Sequence, residues 1–169
     1  MKDNAKRLDK VYREQRTAVY HTALTLLKNA ATAEDVMQEV FLAYYRELEQ
    51  GREVRHLKAW LLTATRNRCY NALRDGRHEH PTDDLPDIAA QADPIADLQE
   101  QDMVERVLAC LGDDERLAFC LHYMDGYTYR QIAEGLGIPM GTVQTRCRIA
   151  RGKLRAALRN IIDQEEALV

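Results

Sequence analysis

Sustained strand alternation is missing from this chain, and so is any long apolar run. Across its 169 residues, no stretch approaches the ~20 consecutive apolar residues that a bilayer-crossing helix needs. The first ten residues, MKDNAKRLDK, are charged and have no apolar core. No secretory signal is expected there, and the cytoplasm is the expected location. The four cysteines, Cys69, Cys110, Cys120 and Cys147, include no CxxC pair, and the five histidines form no HExxH. A zinc or disulfide framework is therefore a poor fit. The cysteines read as small core residues in a reducing compartment. His122 lies two residues after Cys120, a spacing too thin to imply a metal alone. No nucleophile–base pair or phosphate-binding loop stands out, which argues against an enzyme and against a cofactor. No internal repeat is visible.

Charge is absent locally rather than globally. Residues 81–105 hold no Lys or Arg and eight Asp/Glu. Residues 140–160 hold Arg146, Arg148, Arg151, Lys153, Arg155 and Arg159 and no acid. The formal net charge of −3 hides this, and local fields, not the total, decide what binds.

What remains reads almost wholly as helix. The fold class is all-α, in two small helical domains: residues 1–76 and 97–166, with a linker at 77–96. In the first, helices are expected over roughly 8–28, 32–49 and 56–74. Thr32 is expected to cap the second, with Glu34 and Asp35 near its positive end. Its apolar face takes Val36, Val40, Ala43 and Tyr44. Leu61, Leu62, Thr65, Cys69, Ala72 and Leu73 share one side of the third. The linker carries Pro81, Pro86 and Pro94, three of the chain's four prolines, and reads as an extended acidic tether. Periodicity resumes near Ile95, with Val104, Val107, Leu108 and Leu111, then Leu117, Phe119, Cys120 and Tyr123. Asp113 is expected to cap the helix that follows Leu111.

The stretch YTYRQIAEGLGIPMGTVQTRCRIARGKL, residues 127–154, is the most specific signal. A short helix over 129–136 turns Ile132 and Leu136 inward. Ala133 is small, Gly137 supplies a left-handed turn, Ile138 plugs the corner and Pro139 opens a second helix with Val143 inward. This is a helix-turn-helix layout. Near the N-terminal end of the second helix, Thr142, Gln144, Thr145, Arg146 and Arg148 face outward, where a recognition helix meets base edges. Arg151, Lys153 and Arg155 lie one to two turns further on, better placed for phosphates.

The first unit adds two more surfaces. AEDVMQEVFLAYY, residues 33–45, sets Asp35, Gln38, Glu39 and Leu42 on a side away from Val36 and Val40. KAWLLTATRNRCYNALR, residues 58–74, sets Trp60, Thr63, Asn67, Asn71 and Arg74 along another. A polar, basic stripe ending in an aromatic suits unpaired bases and phosphates.

With these three motifs in this order, the chain resembles the extracytoplasmic-function (ECF) group of bacterial sigma factors across nearly its whole length. The resemblance implies a subunit that binds core RNA polymerase and directs initiation at promoter DNA. Residues 33–45 match the part that grips the β′ clamp helices, and residues 58–74 the part that reads and opens the −10 element. Residues 125–155 match the −35-reading helix-turn-helix, in a domain that meets the β flap. The linker would thread the polymerase cleft, and an anti-sigma factor would hold the protein in check. Family members often carry Arg where Ile149 stands; here Arg148 is one residue earlier, rotated by about 100°. The rival reading is a stand-alone helix-turn-helix regulator whose first unit dimerises.

Overall fold

Apolar residues at helical spacing bring three helices together first. Helix α1 spans Lys2–Leu27, α2 Ala30–Glu49 and α3 Leu57–Arg74. Val19, Ala23 and Leu27 of α1 meet Val36, Val40 and Tyr44 of α2 and Leu61, Cys69 and Ala72 of α3 in one core. Each large aliphatic so buried contributes about 1.5–3 kcal/mol. Tyr12 packs edge-on to Phe41 at 4.9 Å. Lys28 takes a left-handed φ of 56°, so two residues suffice to reverse the chain between α1 and α2.

Four further helices follow: α4 (Leu98–Leu108), α5 (Asp113–Phe119), α6 (Tyr129–Leu136) and α7 (Met140–Ala167). A π-helical turn at Cys120–Met124 separates α5 from α6. This computed structural model describes residues 2–76 and 98–168, and no strand occurs among them. The expected linker, with Pro81, Pro86 and Pro94, lies outside the described residues, as does Ile95.

Several local expectations are corrected. Asn29, not Thr32, caps α2: its Oδ1 accepts the Thr32 N–H at 2.9 Å. The helix begins two residues earlier than expected, so its first turn carries no acid, and Glu34 and Asp35 do not serve the helix end. Gly112, not Asp113, is the N-cap of α5, and its N–H donates to the Glu115 carboxylate at 3.1 Å. Asp113 instead pairs with Lys28, in the turn just after α1. Leu73 is 40% exposed, beyond the reach of the elements that cover Ala72. Val104 and Tyr123 are exposed too. Leu117, Cys120 and Leu121 bury at i, i+3 and i+4, which turns Tyr123 outward.

The two halves do not keep separate cores. Leu117, Leu121, Tyr127, Ile132, Val143 and Cys147 enclose Ala18 of α1 and Leu62 of α3. Leu62, expected on the same side as Leu61, is rotated one residue around α3 and is buried by the second half. A smaller cluster joins Leu108 and Leu111 to Ala150.

The junction holds a poorly placed acid. Asp125 Oδ2 is buried without a hydrogen-bond partner. Burial pushes its carboxyl up to about 6, against the pull of the Lys58 charge. A carboxyl that holds its proton more tightly in the folded state contributes stability below its ordinary value of 3.8, and that contribution is lost as pH rises through about 6. Asp125→Asn is therefore expected to stabilise the fold at pH 7.5. With allowance for partial exposure the gain is about 1 kcal/mol, and it should shrink between pH 6 and pH 4. Urea unfolding at several pH values checks the sign.

Candidate nucleic-acid interface

The corner between α6 and α7 is built by short-range chemistry. Thr128 Oγ1 accepts the Gln131 N–H at 3.1 Å, and Gln131 Oε1 accepts the Thr128 N–H at 2.9 Å. This reciprocal cap fixes the start of α6. Gly137 then takes φ 68°, ψ 35°, a conformation that costs a side-chain-bearing residue strain. Pro139 stands just before α7, and its carbonyl accepts the Thr142 N–H at 3.0 Å. Ile132 and Val143 are fully buried where the two helices meet.

The outer side of α7 is open. Gln144, Thr145, Arg148, Arg151 and Arg155 are exposed, and Thr142 is half-buried. Two of the expected DNA contacts are engaged internally: Arg146 reaches Asp114 at 3.5 Å and Lys153 reaches Glu115 at 2.8 Å. Lys153 holds the Glu115 carboxyl below its ordinary range. Both pairs lie at the surface, where phosphates can compete for the cations. Ile149 is 41% exposed beside Arg148, so the helix offers both an apolar and a cationic contact at this point.

On α3, Asn67, Asn71 and Arg74 are exposed, and Trp60 and Thr63 are half-buried. Trp60 leans on Tyr44, ring centroids 6.1 Å apart, so the indole is partly core and partly surface. The loop from Gly51 to His56 curls beside it. Arg52, Val54, Arg55 and His56 join Trp60 and Thr63 around an open groove of about 710 Å³. Its rim is mixed in charge, since Glu47 and Glu53 line it beside Arg52 and Arg55 and Glu47 pairs with Arg52 at 3.5 Å; the room and the aromatic wall suit a base turned out of a stack. Glu134 of α6 lines the same groove.

On α2, Asp35 and Gln38 are exposed and Glu39 is half-buried, 4.0 Å from Arg68. Leu42 is 55% exposed among them. An apolar knob beside two acids suits a protein partner better than DNA, since acids repel phosphate.

His122 has other work than metal binding. Its Nδ1 lies 2.7 Å from the Tyr127 carbonyl and its ring stacks on Tyr129 at 4.1 Å. Among the described residues no group of three or more His, Cys, Asp or Glu could hold a metal ion, and no helix is long and apolar enough to cross a membrane.

Residues 11–79 match Sigma-70 region 2, and residues 101–154 match Sigma-70, region 4. The chain is an ECF sigma factor of the sigma-70 family. It is similar to the ECF RNA polymerase sigma factor SigL of Mycobacterium tuberculosis, at 31% identity over 163 residues, covering 89% of this chain and 88% of the relative. SigM of the same species is 29% identical over 150 residues, covering 89% and 76%. Among solved structures, the sigma factor RpoE of Bartonella quintana, in complex with the anti-sigma factor NepR, superposes with TM-score 0.64 at 28% identity, covering 94% of this chain and 98% of that one. This sigma factor directs RNA polymerase to promoters. A stand-alone regulator with a dimerising first unit is not favoured, because that unit is a sigma region 2.

Reading the sequence missed three features of the sigma factor. Tyr70 is 54% exposed, three residues after Asn67 and four before Arg74, and so belongs to the same stripe; that spacing was there to be read. The T-x-x-Q cap at Thr128 was legible as well. The approach of Glu134 to the groove was not, because it depends on how the two halves pack.

Proposed function

We propose a division of labour among the three surfaces. The first unit, residues 1–76, docks on the β′ clamp helices through Asp35, Gln38, Glu39 and Leu42. Trp60, Thr63, Asn67, Asn71 and Arg74 read and open the −10 element, with the neighbouring groove taking a flipped base. The second unit, residues 97–166, reads the −35 element with Thr142, Gln144, Thr145, Arg146 and Arg148, holds phosphates with Arg151, Lys153 and Arg155, and meets the β flap. The observation that carries this reading is the exposed polar stripe of α3 beside a groove walled by Trp60. A protein that bound only duplex DNA through α7 would have no use for it. Two weak grips on one promoter raise each other's effective concentration, which makes a selective reader. The protein then acts in the cytoplasm as a specificity subunit without catalytic chemistry of its own. An anti-sigma factor is its expected restraint, as the complex of the similar RpoE with NepR suggests.

The −35 assignment is tested by separating base readers from phosphate holders. Arg148→Ala is expected to cost about 1–3 kcal/mol on the preferred −35 duplex and to relax preference at one position. Arg155→Ala should weaken all duplexes alike and lower the salt slope by about one unit. Competition binding of holoenzyme to −35 duplexes at two salt concentrations reads both. Unchanged selectivity and affinity in Arg148→Ala and in Arg146→Ala would place the reading face elsewhere.

A further inference from the structure

Helix α7 continues well past the corner it makes with α6. Its buried residues are Val143, Cys147 and Ala150, so residues 151–167 form about 25 Å of helix without a buried side chain. The apolar seam does not stop where the burial stops. On the side of the helix that holds Val143, Cys147 and Ala150, it runs on through Leu154, Leu158, Ile161 and Leu168. Leu154 packs against Leu108 and Leu111, but none of the three apolar cores includes a residue of α7 beyond it. Leu158 is 42% exposed and Ile162, beside the seam, 52%. A helix of this length holds its shape in water chiefly by packing an apolar side, and none of the surfaces assigned above uses residues 156–167.

Charge along the projection points to the partner. Arg151, Lys153, Arg155 and Arg159 occupy its first half and Asp163, Glu165 and Glu166 its second, with no acid before Asp163 and no base after Arg159. This order does not serve the helix itself. The C-terminal end of a helix is negative and favours bases, yet the last turn of α7 holds none. Lys153 is engaged by Glu115. Among the described residues, Arg155, Arg159, Asp163, Glu165 and Glu166 form no ion pair.

We propose that the end of α7 pairs with the same segment of a second copy of this chain, antiparallel, about a two-fold axis near Asn160. The segment is complementary to itself in that orientation, as an isologous contact requires. Leu158 and Ile161 of each copy meet at the centre. The basic half of one helix lies along the acidic half of the other, twice by symmetry, and each acidic end gains the cations its own helix lacks. A parallel pair would set like charge against like, and a partner of one sign would be repelled by one half of the segment. The paired length of about 20 Å makes a contact smaller than a standard interface, so the pair is weak and forms at micromolar concentration and above. The inference goes beyond the proposed function and does not depend on it.

The test is sedimentation equilibrium of the full chain, from micromolar to near-millimolar concentration, at low and at molar salt. The wild type should show a monomer–dimer equilibrium that weakens in molar salt, where exposed charges are screened. Two charge-reversed variants separate this face from any other. Arg155→Glu with Arg159→Glu should set acid against acid, and Glu165→Arg with Glu166→Arg should set base against base. All four side chains are exposed, so helicity by circular dichroism should not change. Each variant alone should associate at least about tenfold more weakly than the wild type. An equimolar mixture of the two should associate again, because opposite charges then face along the whole pair. A wild type that stays monomeric throughout would overturn the proposal and leave the seam to some other protein. So would variants that each associate like the wild type, or a mixture no better than its parts.

Discussion

Arginine at both Asp35 and Gln38 is expected to abolish binding to core RNA polymerase and to leave helicity unchanged. Both side chains are exposed on α2, and neither supports the helix that carries them: Asn29 caps it, and its first turn holds no acid. Their replacement should therefore cost little folding energy. The face they share with Glu39 and the exposed Leu42 is acidic around an apolar centre, which calls for a basic, grooved partner. Like-charge juxtaposition at such an interface costs several kcal/mol, so core affinity should fall by about 100-fold or more. Leu42→Ala should fall less, and without the change in salt dependence. Titration of fluorescent protein with core enzyme checks this. Wild-type affinity in the double variant would remove α2 from the docking surface.

The second large effect concerns strand opening. Asn67→Ala with Asn71→Ala is expected to leave core and −35 binding nearly intact while open-complex formation drops about 100-fold. The two amides are exposed on one side of α3, in line with Arg74, so their loss creates no cavity. Taking a base out of the stack costs a few kcal/mol, and contacts to the extracted base offset that cost. A promoter carrying a pre-melted −10 bubble should recover much of the loss, because the unpairing cost is then already met. Permanganate reactivity of −10 thymines on duplex and bubble templates reads both arms. Normal reactivity on the duplex would sink the melting role of these residues.

The helices were legible because apolar spacing decides them, and the α6–α7 corner because Ile132, Gly137 and Val143 must occupy set positions in so tight a turn. Helix ends were less legible. Asn29 and Thr32 are both good caps by chemistry, and the tight turn at Lys28, with Ala30 already packed against the core, puts Asn29 at the helix start. Asp113 lost its capping role to an ion pair with Lys28, which lies 85 positions away in the chain and carries no local signal. The exposed residues of α2, α3 and α7 could be placed on faces from periodicity alone. Which residues meet across elements could not, since the pairing of Arg146 with Asp114 and the approach of Gly135 to Leu62 arise from packing between helices distant in sequence.

The central claim is that this chain gives core polymerase its promoter. The most direct measurement is transcription from a library of duplex templates with randomised upstream sequence, by core enzyme with and without the protein. The account predicts transcripts enriched for one −35 sequence and one unlike −10 sequence at fixed spacing, and only when protein and core are both present. Enrichment of a symmetric site bound by the protein alone, with no gain in initiation by core, would contradict it.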